Sequence, residues 1–573
     1  MSLLAEQLRQ MLDYSIQEAC KSGQLTTSTL PDQLVIERPR DAKHGHLATN
    51  LAMLLARPER KNPRVIAQTV VDHLVDEDGL IENHAIAGPG FINFTFTAQA
   101  WQRVLEPVLT EGERFGYAPS NGSRVNVEFV SANPTGPLHV GHARGALTGD
   151  AIARLLEAAG HEVCREYYVN DAGKQVDTLA RSVLIRYQQQ LGKDVELPED
   201  HYPGDYIIPI AKAAIERFDD RFLNADPFAE EGQWLEPLRE LAIDVNLRDI
   251  KQTLGNLGIT FDRWQSERQL VDSGAIDASI RQLQQDDFLY EEEGKLWFRS
   301  TDFGDDKDRV VIRANGVGTY FASDIAYHRD KLQRGFDQII DVWGADHGGY
   351  VRRVSAALAA LGLPADRFTP TLVQMVNLVK EGEAFKIGKR SGNMILLQEL
   401  LDQVGPDVIR FLFLMRRSDA QYDFDLGLAM EQSMENPVYY VQYGHARLCS
   451  IIRRAASQNL EPCTLNSPEL QRLTHPDEVE LIRLIAEWPE TLQEAAKALE
   501  PHRLAHFLMN LVGTFHGYYT RNRKAAPVVN SEDPGASQAR LLLCQALATT
   551  LRAGLSVLGV QAPERMEREG DEP

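Results

Sequence analysis

Apolar positions along the chain recur at two periods, and they divide it into stretches of different character. Leu4, Leu8, Leu12 and Ile16 repeat every four residues, the spacing of one helical face, so the chain is predicted to open on an amphipathic helix. The run from His46, His-Leu-Ala-Thr-Asn-Leu-Ala-Met-Leu-Leu, predicts the start of a second helix. Phe91-Ile-Asn-Phe-Thr-Phe alternates as a strand does, and Pro63 and Gly88-Pro-Gly punctuate the segment. The turn residues of Tyr117-Ala-Pro-Ser-Asn-Gly-Ser read as a linker. Residues 1–118 thus read as one small α/β unit.

Val125-Asn-Val-Glu-Phe-Val is a strand pattern, followed by the Pro/Gly-rich turn Ser131-Ala-Asn-Pro-Thr-Gly-Pro. A helix is predicted from about Gly141 to Ala159, apolar at Leu147, Ile152, Leu155 and Leu156 and stopped by Gly160. A second strand follows over Glu162 to Val169. Strand, turn, helix and strand in this order make a βαβ unit, which requires a parallel sheet. Gln338-Ile-Ile-Asp-Val-Trp and Thr371-Leu-Val-Gln-Met-Val-Asn-Leu-Val are further strand candidates, with a helix around Val351–Leu361 between them. The charged stretch from about 175 to 300 reads as an inserted, mainly helical segment with a short extended piece near Lys295-Leu-Trp-Phe-Arg. From about Asp402 onward the pattern reads as helical throughout, and the charged tail Arg565–Pro573 as frayed.

Composition narrows the class. At 573 residues the chain has room for about three or four units. A hydrophobic share of 43% with 25% charged residues excludes a disordered or collagen-like chain. No apolar run reaches the ~18 residues of a membrane span, and the N-terminal stretch does not read as a signal peptide. The net charge of −22, from 60 basic and 82 acidic residues, opposes non-specific nucleic-acid binding but leaves room for a local basic face. The five cysteines, Cys20, Cys164, Cys449, Cys463 and Cys544, are scattered with no CxxC, so neither a disulfide framework nor a cysteine zinc site is expected. A reducing cytoplasm fits.

Chemistry concentrates in two segments. In Asn133-Pro-Thr-Gly-Pro-Leu-His-Val-Gly-His, His139 and His142 flank Gly141 at a helix start. Free N–H groups and the positive end of the helix dipole suit phosphate there, and the histidines add donors for developing charge. Gly141 lacks a Cβ, so a flat base could lie on the backbone. The alternatives are a metal pair, disfavoured because the HExxH pattern is absent, and histidines that merely cap the helix. The second segment, Phe385-Lys-Ile-Gly-Lys-Arg-Ser-Gly-Asn, sets three cations between glycines. Lys386 and Lys389 could close over a polyphosphate and neutralise a leaving pyrophosphate. Taken alone, the segment reads more readily as a solvated surface turn. A GxxxxGKS phosphate loop is absent.

In the last helical stretch, Asn436 can cap a helix with Pro437 in its first position. Val438, Val441, Leu448 and Ile452 then form an apolar stripe, and Tyr440, Tyr443, Arg447 and Arg454 fall on the other side. Aromatics interleaved with arginines suit unstacked bases and phosphates, although a solvated face with packed tyrosines has the same pattern. His445 falls on the apolar side and reads as a core or inter-domain residue.

The two chemical segments, one after the opening strand and one after a late strand, resemble the HIGH and KMSKS signatures of class I aminoacyl-tRNA synthetases. Here they stand as His139-Val-Gly-His142 and Lys386-Ile-Gly-Lys-Arg390; the second departs at Ile387, Gly388 and Arg390 but keeps both lysines. Five stretches are similar to the arginyl-tRNA synthetase family: Glu128-Phe-Val-Ser-Ala-Asn-Pro-Thr-Gly-Pro, Asn170-Asp-Ala-Gly-Lys-Gln, Thr319-Tyr-Phe-Ala-Ser-Asp-Ile-Ala-Tyr, Val441-Gln-Tyr-Gly-His-Ala-Arg and Leu558-Gly-Val-Gln-Ala-Pro-Glu-Arg-Met. Ala48-Thr-Asn-Leu-Ala and Gly88-Pro-Gly-Phe-Ile-Asn-Phe look like that family's extra N-terminal domain.

The resemblance implies an α/β fold. A class I Rossmann-type parallel-sheet catalytic domain would span 119–432, with the insertion and the basic loop. A small α/β N-terminal domain binding the tRNA elbow would span 1–118, and an all-α anticodon-binding bundle 433–573. It implies ATP with Mg²⁺, L-arginine and tRNA(Arg) as substrates, an arginyl-adenylate intermediate, no structural metal and a monomer. His139, His142, Lys386 and Lys389 become the catalytic residues, with Gly141 joining them around ATP. Glu128, Ser131, Asn133, Tyr320, Asp324 and His347 match arginine-binding positions. Asp324 follows Tyr320 by four residues, so both face one way on a helix, and a guanidinium needs a planar acidic acceptor. Phe91 stacking on a base and Asn93 hydrogen-bonding to it would meet the tRNA elbow, with Phe91 as a core residue the alternative. Tyr440, Tyr443, Arg447 and Arg454 would meet the anticodon region. Two competing readings are a cytidylyltransferase-like enzyme, which is shorter and lacks the long helical unit, and a non-catalytic RNA-binding paralogue, against which the retained histidines and lysines argue.

Overall fold

The computed structural model describes residues 3–39, 41–380, 383–384, 395–524 and 526–566. In the N-terminal segment, helices Leu3–Lys21, Leu51–Glu59 and Pro63–Asp72 accompany an antiparallel sheet. Its strand order is Ile36–Glu37, Leu47–Thr49, Phe91–Phe96, Ile81–Ala87. The stretch after His46, expected to be helical, is first a strand: Leu47 and Ala48 pair with Phe94 and Asn93, and the helix begins only at Leu51. Sheet pairing with an aromatic partner strand wins over local helical preference here. Asn62 caps the third helix by accepting from Arg64 N, with Pro63 in the first position.

The central sheet has five parallel strands in the order Phe368–Val373, Gln338–Gly344, Arg124–Glu128, Glu162–Val169, Arg263–Ser266. The chain starts at the middle strand, winds to one side, then returns to the other. The switch point lies between Arg124–Glu128 and Gln338–Gly344, where doubly wound sheets open a crevice at the strand C-termini. Helix Val140–Ala158 crosses from Arg124–Glu128 to Glu162–Val169. Gly160 ends that connection at φ +89°, and a Cβ there would lie 2.2 Å from Pro119 O, so only glycine fits.

The expected insertion over 175–300 is shorter than its charge pattern implied. Helices Lys174–Gln190, Ile207–Phe218 and Leu235–Asn256 share their own core around Leu179, Leu184, Tyr187, Ile210 and Leu238. Arg263–Ser266 then rejoins the main sheet, pairing with Glu166 to Val169. The extended piece near Lys295 belongs to an antiparallel sheet of Leu289–Glu292, Lys295–Phe298 and Arg309–Ile312.

The long apolar run after Thr371 is two strands, not one. Phe368–Val373 stays in the main sheet, and Val376–Lys380 leaves it to pair with Tyr422–Asp425. Gln374 is pulled out between them, its N–H donating to Ser418 O at 2.8 Å and its carbonyl accepting from Arg144 at 3.2 Å. Tyr422–Asp425 also corrects the expectation of helix throughout after Asp402. The remaining C-terminal segment is helical, with long helices Pro437–Ala456, Pro476–Ala498, His502–Arg521 and Pro534–Val557. It packs back on the N-terminal segment: buried Trp488 donates to Phe115 O at 2.8 Å, and Gln102 donates to Leu473 O at 3.1 Å. All five cysteines are free thiols. Among the described residues no helix is long and apolar enough to cross a membrane.

Candidate active site

His139 is the N-cap of helix Val140–Ala158, directly beyond the central strand. Its Nδ1 accepts the Gly141 N–H at 3.1 Å, and His142 Nδ1 accepts the His139 N–H at 3.2 Å. A backbone N–H can only donate, so both rings must carry their proton on Nε2. Burial pushes His139 below its ordinary value and His142 down to about 4, with His139 adding to the shift in His142. The pair is therefore neutral at working pH and offers two Nε2–H donors. The rings lie 3.8 Å apart, tilted by 36°. A Cβ on Gly141 would sit 2.8 Å from the His139 ring, so glycine here makes room for the imidazole as well as for any base above it. Met375, exposed at the break between the two strands, lies on the same side.

The segment after the basic loop is tied to this helix start. Val140 N donates to Ile395 O at 3.0 Å and Leu397 N donates to Leu138 O at 2.9 Å. Lys386 and Lys389 lie outside the described residues. The pairing at Leu138–Val140 nevertheless fixes where the chain emerges from the segment that carries them.

A cavity of about 330 Å³ opens at the switch point. Glu128, Val130 and Ser131 line it from the central strand, Tyr320 and Asp324 from helix Tyr320–Gln333, and His347 and Tyr350 from beyond the Gln338–Gly344 strand. Tyr320 stands exposed, with half-buried Asp324 one turn further along the helix. Asn133 is elsewhere: it is exposed and donates to Gln175 Oε1 at 2.8 Å, and it is not part of the cavity wall. Val130 and Ser131 both have left-handed backbone, at φ +67° and +41°, a costly conformation for a β-branched residue. Ser131 N donates to Phe129 O at 2.9 Å, and Ser131 Oγ donates to Glu128 Oε1 at 2.8 Å, which holds the turn.

Charge in the cavity is divided. Lys331, fully buried, donates to Glu128 Oε2 at 2.6 Å and to Asp341 Oδ1 at 2.8 Å. His328 bonds Asp341 Oδ2 at 2.7 Å through Nε2 and the Asp324 carbonyl at 2.8 Å through Nδ1. Burial lowers the His328 value, but Asp341 outweighs it and the net shift is upward. Glu128 and Asp341 thus share the Lys331 ammonium, and Asp341 also bonds His328. Asp324 and Glu267 are not matched in this way: among the described residues no ion pair includes either. Burial raises Asp324 to about 7; His328 opposes the shift, and Glu128, Glu267 and Asp341 add to it. Burial also raises Glu267, helped by Asp171. Sequence reasoning missed Glu267. The signal was its place right after a polar four-residue strand, at the carboxyl edge of the sheet.

The remaining singled-out residues lie on two other surfaces. Ile92, Phe94 and Phe96 point into the N-terminal core, so Phe91 and Asn93 share the opposite face. Their partners across the sheet are Ala87 for Phe91 and Ala85 and Ala48 for Asn93; Phe91 is half-buried and Asn93 buried. On helix Pro437–Ala456, Tyr440 packs edge-on against His516 at 5.3 Å, and Tyr443 stacks on Tyr439 at 6.5 Å. Arg447 lies over Tyr519 at 4.6 Å, and exposed Arg454 borders a cavity of about 230 Å³ with Tyr519 and Arg523. His445 is buried and bonds Pro563 O at 2.8 Å, an inter-segment role.

A doubly wound parallel sheet with a His-x-Gly-His helix start at its switch point is the arrangement of class I aminoacyl-tRNA synthetases. Residues 104–409 match the family described as tRNA synthetases class I (R), catalytic domain; residues 6–96 match Arginyl tRNA synthetase N terminal domain, and residues 441–566 match DALR anticodon binding domain. The arginine–tRNA ligase of Geobacter sp. strain M21 is 48% identical over 98% of this chain and 100% of its own, and that of Bacillus subtilis strain 168 is 44% identical over the same shares. Among solved structures, a putative arginyl-tRNA synthetase from Campylobacter jejuni has 36% identity and a TM-score of 0.74, covering 82% of this chain and 100% of that one. The Thermus thermophilus arginyl-tRNA synthetase has 25% identity and a TM-score of 0.72, covering 98% and 100%. The chain belongs to the arginyl-tRNA synthetase family.

Proposed function

We propose that the chain joins L-arginine to tRNA(Arg) in two steps carried by the switch-point site. In the first, the arginine carboxylate attacks the α-phosphorus of ATP, which enters as its Mg²⁺ complex, and pyrophosphate leaves. The Nε2–H donors of His139 and His142 hydrogen-bond phosphoryl oxygens as charge develops. Lys386 and Lys389 neutralise the leaving pyrophosphate, and Gly141 accommodates the base. In the second step, a terminal ribose hydroxyl of the tRNA attacks the arginyl carbonyl, and AMP leaves.

The observation that carries the arginine assignment is the uncompensated pair of acids, Asp324 and Glu267, in a cavity where Glu128 is already matched by Lys331. A guanidinium is permanently cationic and supplies planar donors to such acceptors. Tyr320 forms the outer wall of its slot. Ser131 and His347 serve the amino-acid end of the substrate, with Glu128 acting through Ser131. Phe91 and Asn93, on a platform of alanines, face the tRNA elbow. Tyr440, Tyr443, Arg447 and Arg454 face the anticodon loop. The enzyme acts as a monomer in the cytoplasm, the compartment being supported by its free thiols.

Arginine-dependent exchange of pyrophosphate into ATP, measured with and without tRNA(Arg), tests this reading. Exchange with arginine, and none with lysine, is expected; exchange that ignores the amino acid, or none in the presence of tRNA, overturns it.

A further inference from the structure

The turn that leads into His139 is held from outside. Pro134 and Pro137 have no N–H to donate, so Asn133-Pro-Thr-Gly-Pro has few backbone bonds of its own. Three consecutive residues of this turn are each held by a side chain from a different part of the helical insertion. Asn133 donates to Oε1 of Gln175, on helix Lys174–Gln190, at 2.8 Å. The Pro134 carbonyl accepts from buried Asn246, on helix Leu235–Asn256, at 2.8 Å. The Thr135 carbonyl accepts from the hydroxyl of Tyr206, the residue before helix Ile207–Phe218, at 2.9 Å.

The next residue, Gly136, is covered by the same tyrosine: a Cβ there would meet Tyr206 Cζ and Oη at 3.2 Å. Tyr206 also packs on the insertion's own core, which includes Ile207 and Ile210. The insertion therefore has two ends, a separate apolar core and a set of polar contacts on one turn, four to six residues ahead of His139.

We infer that the insertion clamps the nucleotide-binding turn, and that Tyr206 and Asn246 are positioning residues for ATP. This rests on reading His139 to His142 as the nucleotide site. Neither residue touches the arginine cavity. Their loss lets the turn, and with it the His139 imidazole, shift relative to the phosphates, while arginine binding is unaffected.

The test is arginine-dependent pyrophosphate exchange, with tRNA present, across ATP and arginine concentrations for Tyr206→Phe, Asn246→Ala and the double variant. Tyr206→Phe removes only a hydroxyl and keeps the ring over Gly136. Tyr187→Phe is the matched control, because Tyr187 donates to Asp219 O inside the insertion and away from the turn. Each test variant is expected to lose roughly ten- to a hundredfold in kcat/KM for ATP. The arginine KM stays within about twofold of the unsubstituted enzyme. The double variant loses less than the product of the single effects, because both contacts serve one turn. Tyr187→Phe lowers the melting temperature without this split. ATP parameters that stay unchanged, or that fall in step with the arginine parameters or with melting temperature, overturn the clamp. If the unsubstituted protein performs no exchange, the nucleotide-site reading fails together with the clamp, a result visible before any variant is made.

Discussion

Lys331 Nζ donates to Glu128 Oε2 at 2.6 Å from a position with no solvent exposure. The contact neutralises one of the acids around the switch-point cavity and steadies the Glu128–Ser131 bond under the strained turn at Val130. A side chain that would read as a helical surface lysine is thus the charge centre of the site.

Removing that ammonium strands two buried carboxylates, Glu128 and Asp341. Breaking a buried pair by deleting one partner costs about 3–5 kcal/mol. Lys331→Met is therefore expected to shift the urea midpoint strongly downward, and a midpoint equal to that of the unsubstituted protein refutes the network.

Asp324 is expected to make arginine binding depend on pH. Burial holds it at about 7, so below that pH the carboxyl must lose its proton before it can pair with a guanidinium. Arginine affinity is expected to rise by about tenfold per pH unit well below pH 7 and to level off above it. Calorimetry in buffers of different ionisation enthalpy should show proton release near neutrality. Asp324→Asn abolishes the slope and weakens arginine binding by at least two orders of magnitude, in line with the roughly 2–5 kcal/mol of an orphaned buried charge pair. An affinity flat from pH 6 to 8 in the unsubstituted enzyme counts against the assignment.

Lys389 is expected to act on the transition state more than on bound ATP. Lys389→Ala should slow adenylate formation by about two to three orders of magnitude, as loss of one such electrostatic donor does, with a modest change in ATP affinity. Single-turnover kinetics separates the two, and a rate near that of the unsubstituted enzyme removes Lys389 from the mechanism.

Phe91 and Asn93 lie on the face of their strand that turns away from Ile92, Phe94 and Phe96. The double change to Ala is expected to raise the KM for tRNA(Arg) while the arginine and ATP KM values and the melting temperature hold. A fall in melting temperature without a tRNA defect returns Phe91 to a packing role.

What the sequence determined by itself is what depends on neighbours in the chain. The 3.6-residue and two-residue periods placed the opening helix, the Phe91–Phe96 strand and the βαβ start, and the Asn133–His142 run was legible as a turn leading into a helix start. Tyr320 and Asp324 were legible as a pair because one helical turn separates them. Tertiary structure alone decided the rest. Arg263–Ser266 has no alternation to announce a strand and becomes one by pairing with Glu162–Val169. That pairing carries Glu267 to the sheet edge where Asp324 waits, about 57 residues further along the chain and on another element. Glu128 and Asp341 are opposite each other because parallel register sets them side by side, and Lys331 is buried because both need it. Hydrophobic periodicity reports which face of an element is inside; it carries no information on which buried charges meet, since that follows from strand order and from the cost of leaving a charge unpaired away from water.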